Sequence, residues 1–456
     1  VSGRDVIELD SSLLNSPVAV AGAVHDLYRR LREGRRVLAR VCGARSEQAM
    51  GWLGYALEQA GVPYQSAATP ATDETGSSPE AALQLEFAGE PSNVAPRRVD
   101  APAAPLGIVL LGLGTVGLGV YRHLAARPDL FDVRRVVVRD TARHRGDGVS
   151  VERLSTNLWQ AINEPADLVI ELIGGVEPAG DVVHAALLRG RTVISANKAL
   201  LATRWDTFER YTRAPLPGLR FSAAVGGSLP VLETVRRIAA DAQITRVRAV
   251  LNGTCNFVID EVACGATFAR AVALAQASGF AEADPSIDLS GTDALQKLSL
   301  IARTAFGAVP TATRTECRGI EHVTPAVIAE AQARGSGVRL VATCTNREGV
   351  LRAQVRPEEL AATDFLTGAR HEANRVEIDT ADGETWRLAG KGAGRWPSAL
   401  AVMADVYDVL EAGAVHDRDS RAVGAALSSR ISRSACPSSV QSGPGTSRRT
   451  YSRRPW

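Results

Sequence analysis

The chain has 456 residues, 45% apolar and 22% charged, with a formal net charge of +2, the balance of a globular protein with room for two to four domains. Nothing in that balance points to nucleic acid or an anionic membrane, and no run of about eighteen apolar residues offers a membrane span. Six scattered cysteines without C-x-x-C spacing and seven dispersed histidines speak against a local zinc site and for a reduced, cytoplasmic protein.

Residues 1–105 form a first piece, without a basic-then-apolar signal pattern at its start. Residues 37–41 read as a strand and 47–60 as a helix, while the Pro/Ala/Ser/Glu-rich stretch 67–105 reads as a linker or loose loop. From 106 to 240, short apolar runs at 108–111, 133–138, 168–172, 192–194 and 220–224 alternate with helical stretches. That alternation predicts an α/β unit, a parallel sheet with helices on its faces, to which residues 390–412 return. From 241 to 389 the pattern changes to a strand-like run at 247–251, a helix-rich stretch to about 305, and short strands at 338–343, 351–355, 376–378 and 386–388. This reads as an α+β domain. A helix over 398–410 is the last expected element. The Ser-rich, basic stretch 420–456 lacks periodicity and is expected to be disordered.

The loop Gly112-Leu113-Gly114-Thr115-Val116-Gly117 follows an apolar strand and opens an amphipathic helix, the setting of a Rossmann-type dinucleotide site. Gly112 permits the tight turn, Gly114 lets the pyrophosphate approach the backbone, and Gly117 lets helix and strand pack closely. The helix start, with Thr115 and Val116, offers unpaired N–H groups to phosphate. At the end of the next strand, Arg139 precedes Asp140, with Arg143, His144 and Arg145 nearby. An arginine there suits the 2′-phosphate of NADP, whereas Asp140 would serve NAD; a solvated basic loop is the bland alternative.

Between Gly279 and Lys297 stand Glu282, Asp284, Asp288 and Asp293, then Lys297. Ser290 or Thr292 could cap a helix on which Asp293 and Lys297, four apart, share a face. Such a pair is either a surface ion pair or, beside the apolar Leu298, Leu300 and Ile301, a lysine tuned for proton transfer.

The segment Gly279-Phe280-Ala281-Glu282-Ala283-Asp284-Pro285-Ser286, with Asp288, Gly291, Asp293, Ala294 and Lys297 after it, resembles the signature of the homoserine dehydrogenases. Ser195-Ala196-Asn197-Lys198, Asn252-Gly253-Thr254-Cys255-Asn256-Phe257 and Gly390-Lys391-Gly392-Ala393-Gly394 are similar to three further family motifs, in order, over roughly residues 106–410. The resemblance implies a Rossmann domain with a substrate and dimerisation domain. It also implies NAD(P)-dependent interconversion of aspartate-4-semialdehyde and L-homoserine, within threonine and methionine biosynthesis, by a homodimer. By the same resemblance Lys297, Lys198 and Asp293 are catalytic. Glu282, Asp288 and Asp293 would hold the substrate's ammonium group, with Gly253 and Thr254 near its carboxylate. Gly174, Asn197, Lys198, Gly392 and Ala393 would join the glycine turn in holding the cofactor.

The match is uneven. Many members carry a glutamate that helps hold sodium or potassium where this chain has Ser222, leaving the carbonyls of Val225 and Gly227 as the implied cation contacts. Phe280 stands where some members have tyrosine. No ligand-binding regulatory domain is recognised after residue 410, so threonine inhibition through one is not expected. The order of residues 11–41 faintly resembles the start of an aspartate kinase. The lysine and paired glycines of that kinase's phosphate loop are absent from residues 6–12, so a truncated relic or packing module is expected rather than a working kinase. Two alternatives stay open: a Rossmann oxidoreductase for another amino-acid semialdehyde, and a silent nucleotide-binding scaffold.

Overall fold

A computed structural model of the chain describes residues 104–410, apart from 145, 214–216, 228 and 393–396, together with residue 412. In the first hundred residues it describes four strands and the helical positions 23, 24, 27, 30, 53 and 57. The expected tail lies outside the described residues.

The four early strands, β1 (Asp5–Asp10), β2 (Val37–Cys42), β3 (Gln65–Ser66) and β4 (Leu83–Ala88), form a parallel sheet in the order β1-β2-β4-β3. Strand β4 corrects the reading of 67–105 as linker throughout. Its alternation Leu83, Leu85, Phe87 against Gln84 and Glu86 is the period of a strand, hidden by low-complexity flanks. Positions 53 and 57 are helical, as expected of 47–60; the rest of that stretch lies outside the described residues.

The next sheet is parallel throughout. It runs β10-β9-β8-β5-β6-β7, with β5 at Leu106–Leu111, β6 at Phe131–Val137, β7 at Leu154–Ser155, β8 at Leu168–Glu171, β9 at Thr192–Ser195 and β10 at Leu219–Arg220. Residues 107–111 of β5 are buried without alternation, because helices cover both faces of such a sheet. The chain leaves β5 toward β6 and later returns on β5's other side as β8, so the strand order reverses between them. That reversal opens a crevice at the carboxyl ends of β5 and β8. The run 220–224 is not one strand: β10 stops at Arg220 and Ser222–Ala224 is a 3-10 turn. The amide of Ser222 donates to the Asp405 carboxylate at 3.0 Å and so takes no part in a ladder.

The third sheet has the order β12-β14-β13-β11-β15-β16. Its central strand β11 (Ile244–Val250) pairs antiparallel with β13 (Ser336–Arg347) and β15 (Ala373–Thr380), flanked by β14 (Val350–Ala361), β12 (Thr315–Cys317) and β16 (Thr385–Lys391). The helix Thr292–Phe306 joins two cores. Ala294, Leu298 and Ala302, four apart, face the core of the third sheet, while Leu300 and Ile301 enter the core shared with the dinucleotide sheet. The helix over residues 397–410 returns to the dinucleotide sheet and buries Val402, Met403 and Val406 against Ile108, Val120 and Leu124. No helix among the described residues is long and apolar enough to cross a membrane.

Candidate active site

Strand β5 ends at Leu111 and Gly112 turns the chain at φ 101°. A β-carbon on Gly112 would stand 2.6 Å from the Leu172 carbonyl oxygen, and one on Gly117 would stand 2.1 Å from the carbonyl oxygen of Gly112. Both positions therefore require glycine. A β-carbon on Gly114 would meet nothing within 4 Å, so its face is open to a ligand. Helix α1 (Thr115–Ala125) begins with no side-chain cap and no acid in its first turn. The N–H groups of Thr115, Val116 and Gly117 lack intrahelical acceptors and carry the positive end of the dipole. This cradle fits a pyrophosphate. Arg139 and Arg143, beyond β6, are exposed and have no ion-pair partner among the described residues. Asp140 turns back to accept from the amide of Ala142 at 2.9 Å, and His144 pairs with Asp147 at 2.8 Å. Arg145 lies outside the described residues.

The lysine-bearing turn follows β9. Asn197 caps helix α2 (Lys198–Thr203), its side-chain oxygen accepting from the Leu200 amide at 3.1 Å, so Lys198 stands on the first helical residue. Across from it lies the helix Thr292–Phe306, here α3, whose N-cap is Gly291; the Ser290 hydroxyl oxygen accepts from the Thr292 amide at 3.4 Å, and Thr292 is itself the first helical residue. Gly291 sits at φ 81° and fixes the turn by its backbone alone.

Asp293 joins both lysines. Its Oδ1 lies 3.1 Å from the Lys198 ammonium and its Oδ2 lies 2.7 Å from that of Lys297. Lys297 also donates to the Leu251 carbonyl at 2.7 Å. The side chains of Asp293 and Lys297 are only 7% and 12% exposed, against 35% for Lys198, so the pair on α3 is not a solvated surface contact. Burial pushes the Asp293 carboxyl up, but the Lys297 and Lys198 ammoniums, with hydrogen bonds from Lys297 and Asn252, outweigh it and hold the group at about 2. Asn252, which caps helix α4 (Gly253–Ala263), donates from one nitrogen to Asp293 at 2.9 Å and to Asp288 at 2.7 Å. Burial pushes Asp288 upward, and Asp293 adds to this, while Asn252 opposes it.

Gly253 and Thr254 form the first turn of α4. The Thr254 hydroxyl donates to the Phe280 carbonyl at 2.6 Å, so its proton is already engaged within the protein. Phe280 stacks on Phe257 at 4.5 Å between centroids, so a ring without a hydroxyl serves for packing. Glu282 is exposed, on a loop pinned by Gln276 through the Glu282 and Ala283 carbonyls; it is not brought to the two lysines by any described contact.

Gly227, at φ 61°, approaches the late glycine loop: a β-carbon there would stand 2.6 Å from the carbonyl carbon of Gly392 and 2.7 Å from the Lys391 carbonyl oxygen. Ala393 and Gly394 lie outside the described residues. Val225 is buried. Ser222 hydrogen-bonds Asp405 at 2.7 Å and Glu233, so two carboxylates meet at the residue that lacks one.

Gly174 lies in the crevice loop after β8, at φ 73°, and Asn197 holds the next residue by donating to the Gly175 carbonyl at 2.6 Å. Sequence reasoning passed over Glu171, and it named Asn252 and Ser195 within motifs without giving either a role. Asn252 carried a usable signal, an asparagine immediately before a helical run; Glu171 ends an apolar strand and reads there as an ordinary strand residue.

Family models for homoserine dehydrogenase match residues 230–407, and for the NAD-binding domain of homoserine dehydrogenase residues 112–214. Homoserine dehydrogenase of Corynebacterium glutamicum is 37% identical over 320 residues, covering 67% of this chain and 72% of that protein. The Mycobacterium tuberculosis enzyme is 35% identical over 317 residues, 66% of this chain and 71% of that protein. Among solved structures, a homoserine dehydrogenase from Thiobacillus denitrificans superposes with a TM-score of 0.63 at 30% identity, covering 68% of this chain and 74% of that one.

Proposed function

The chain belongs to the homoserine dehydrogenase family, and from that premise we propose how its site interconverts L-aspartate-4-semialdehyde and L-homoserine with NAD(P). It is an oxidoreductase acting on a CH–OH group. The single observation that carries the reading is Asp293 bridging Lys198 and Lys297. It gathers two cations, one from each domain, at a place where an aldehyde oxygen must gain negative charge and then a proton.

Bound NAD(P)H supplies the hydride to the aldehyde carbon. The protein supplies position and charge. An ammonium has three N–H groups; Lys297 spends two, on Asp293 and the Leu251 carbonyl, and keeps one for the carbonyl oxygen. Its fixed charge stabilises the developing alkoxide. Lys198, with one described partner and more exposure, passes the proton to that oxygen and regains it from solvent. Asp293 sets the two ammoniums, and its own charge is preserved throughout the physiological range. Asp288 takes the substrate ammonium, with Glu282 at the outer rim, and the Gly253–Thr254 amides take the substrate carboxylate.

The exposed Arg139, without an ion-pair partner among the described residues, and Asp140, engaged by the Ala142 amide, favour NADP over NAD. Gly174, Asn197, Gly392 and Ala393 complete the cofactor contacts. The carbonyls of Val225 and Gly227 serve a sodium or potassium ion, with Asp405 and Glu233 adding negative charge nearby. We assign residues 106–240 with the 390–412 return to the dinucleotide domain, and 241–389 to substrate binding and to dimerisation through the third sheet. Residues 1–105 act as a packing module, a reading supported by their parallel sheet and by the missing phosphate-loop lysine.

The test is purified protein with L-homoserine and NADP⁺, followed by the absorbance of the reduced nicotinamide. Turnover is expected with homoserine and not with other hydroxy amino acids. No reduction with homoserine at any cofactor concentration would refute the reading.

A further inference from the structure

Glu171 is a charged residue with 0% exposure at the carboxyl end of β8. It stands in register with Leu111 of β5 on one side and Ser195 of β9 on the other, directly at the crevice. One carboxylate oxygen accepts from the amides of Ile173 at 3.0 Å and Gly174 at 3.1 Å, with Asn197 Nδ2 at 3.4 Å. The other accepts from the Ser195 hydroxyl at 2.6 Å. Ser195 Oγ in turn accepts from the Asn197 amide at 3.1 Å, and Asn197 caps the helix whose first residue is Lys198. No cation is among these partners.

We propose that Glu171 is a positioning residue for the reaction: its two oxygens lock the Ile173–Gly175 cofactor loop and the Asn197–Lys198 turn to one another. The argument rests on the dehydrogenase reading given above. Each oxygen has its own task. The loop carries two consecutive glycines in the left-handed region, Gly174 and Gly175 at φ 73° and 74°, a conformation with little stiffness of its own, and the Gly112 turn abuts it at Leu172 and Ile173. On the other side the chain of bonds through Ser195 and Asn197 sets the start of α2 and hence the root of Lys198.

A buried carboxylate without a cation is costly. Burial pushes Glu171 upward, against the hydrogen bonds from Ser195, Gly174, Ile173 and Asn197. Neutralising it should therefore relieve the fold while loosening the site, a trade of stability for geometry. A residue present only for stability would show the opposite.

The experiment uses the full chain with Glu171→Gln and Ser195→Ala, measuring three things: thermal midpoint, NADPH affinity by fluorescence titration without amino-acid substrate, and the single-turnover rate of hydride transfer. Glutamine can accept from the loop amides or from Ser195, but not from both. The expected result for Glu171→Gln is an unchanged or higher midpoint, NADPH binding weakened about tenfold, and a slower hydride step. Ser195→Ala cuts only the Lys198 arm, so NADPH affinity should stay within about twofold while the hydride step slows about tenfold. Wild-type affinity and rate in Glu171→Gln would overturn the proposal, as would a lowered midpoint with both unchanged per folded molecule. If Glu171→Gln fails to fold, Ser195→Ala decides: a slower step at unchanged affinity supports the proposal, and a wild-type rate overturns it. The affinity readout involves no amino-acid substrate, so a wrong substrate assignment would leave its shift intact and fail separately.

Discussion

Replacing Asp293 by asparagine keeps the shape of the side chain and removes the charge that joins the two lysines. The carboxyl is held at about 2 against an ordinary 3.8, and at about 1.4 kcal/mol per pH unit that depression corresponds to roughly 2 kcal/mol of stability. A carboxyl with a lowered folded-state pKa contributes its stabilisation fully above the unfolded value and loses it as the pH falls through the folded value. Asp293→Asn should therefore be less stable than wild type by about 2 kcal/mol at pH 7, with the gap closing to below about 1 kcal/mol near pH 2.5. Urea denaturation of both proteins at steps from pH 7 to pH 2.5 reads this directly. Turnover should fall about a hundredfold or more, because Lys198 loses its described ion pair and Lys297 is left with the Leu251 carbonyl. Equal stability at pH 7 would refute the reasoning, and so would a gap of constant size at every pH, which would make the loss steric rather than ionic.

Two further outcomes are expected. Arg139→Ala should raise the KM for NADPH about tenfold while leaving NADH nearly unchanged; equal losses in steady-state kinetics would remove Arg139 from recognition of the 2′-phosphate. Asp288→Asn should raise the KM for homoserine about tenfold or more without changing NADPH affinity by fluorescence titration, and an unaltered KM would place the substrate ammonium elsewhere.

Features confined to a few consecutive residues were legible in the sequence. The Gly112–Gly117 turn, its flanking strand and helix, and the Asp293–Lys297 spacing all sit within one or two turns of chain. The strands read at 108–111, 168–172 and 192–194 were legible because both-face burial makes them continuous apolar runs, the second ending one residue early, at Glu171. What the sequence could not display was pairing at a distance. Lys198 meets Asp293 only after α2 packs against α3, and the burial that separates the Asp293–Lys297 pair from a solvated one arises from the fold around it. Ser222 was legible as a missing carboxylate, but not the arrival of Asp405 from a helix far along the chain. The same contact explains why 220–224 is not a strand. Strand β4 was obscured by its flanks, whereas Glu171 was in plain view, its role invisible until Ser195 and the Ile173–Gly174 amides were placed around it.

The central claim is that Lys297 acts on the reacting oxygen and not on the cofactor. Lys297→Met, measured by rapid-mixing single turnover beside NADPH titration, tests it most directly. Hydride transfer should slow by about a hundredfold or more with NADPH affinity within about twofold of wild type; an unchanged rate at full cofactor occupancy would contradict the account.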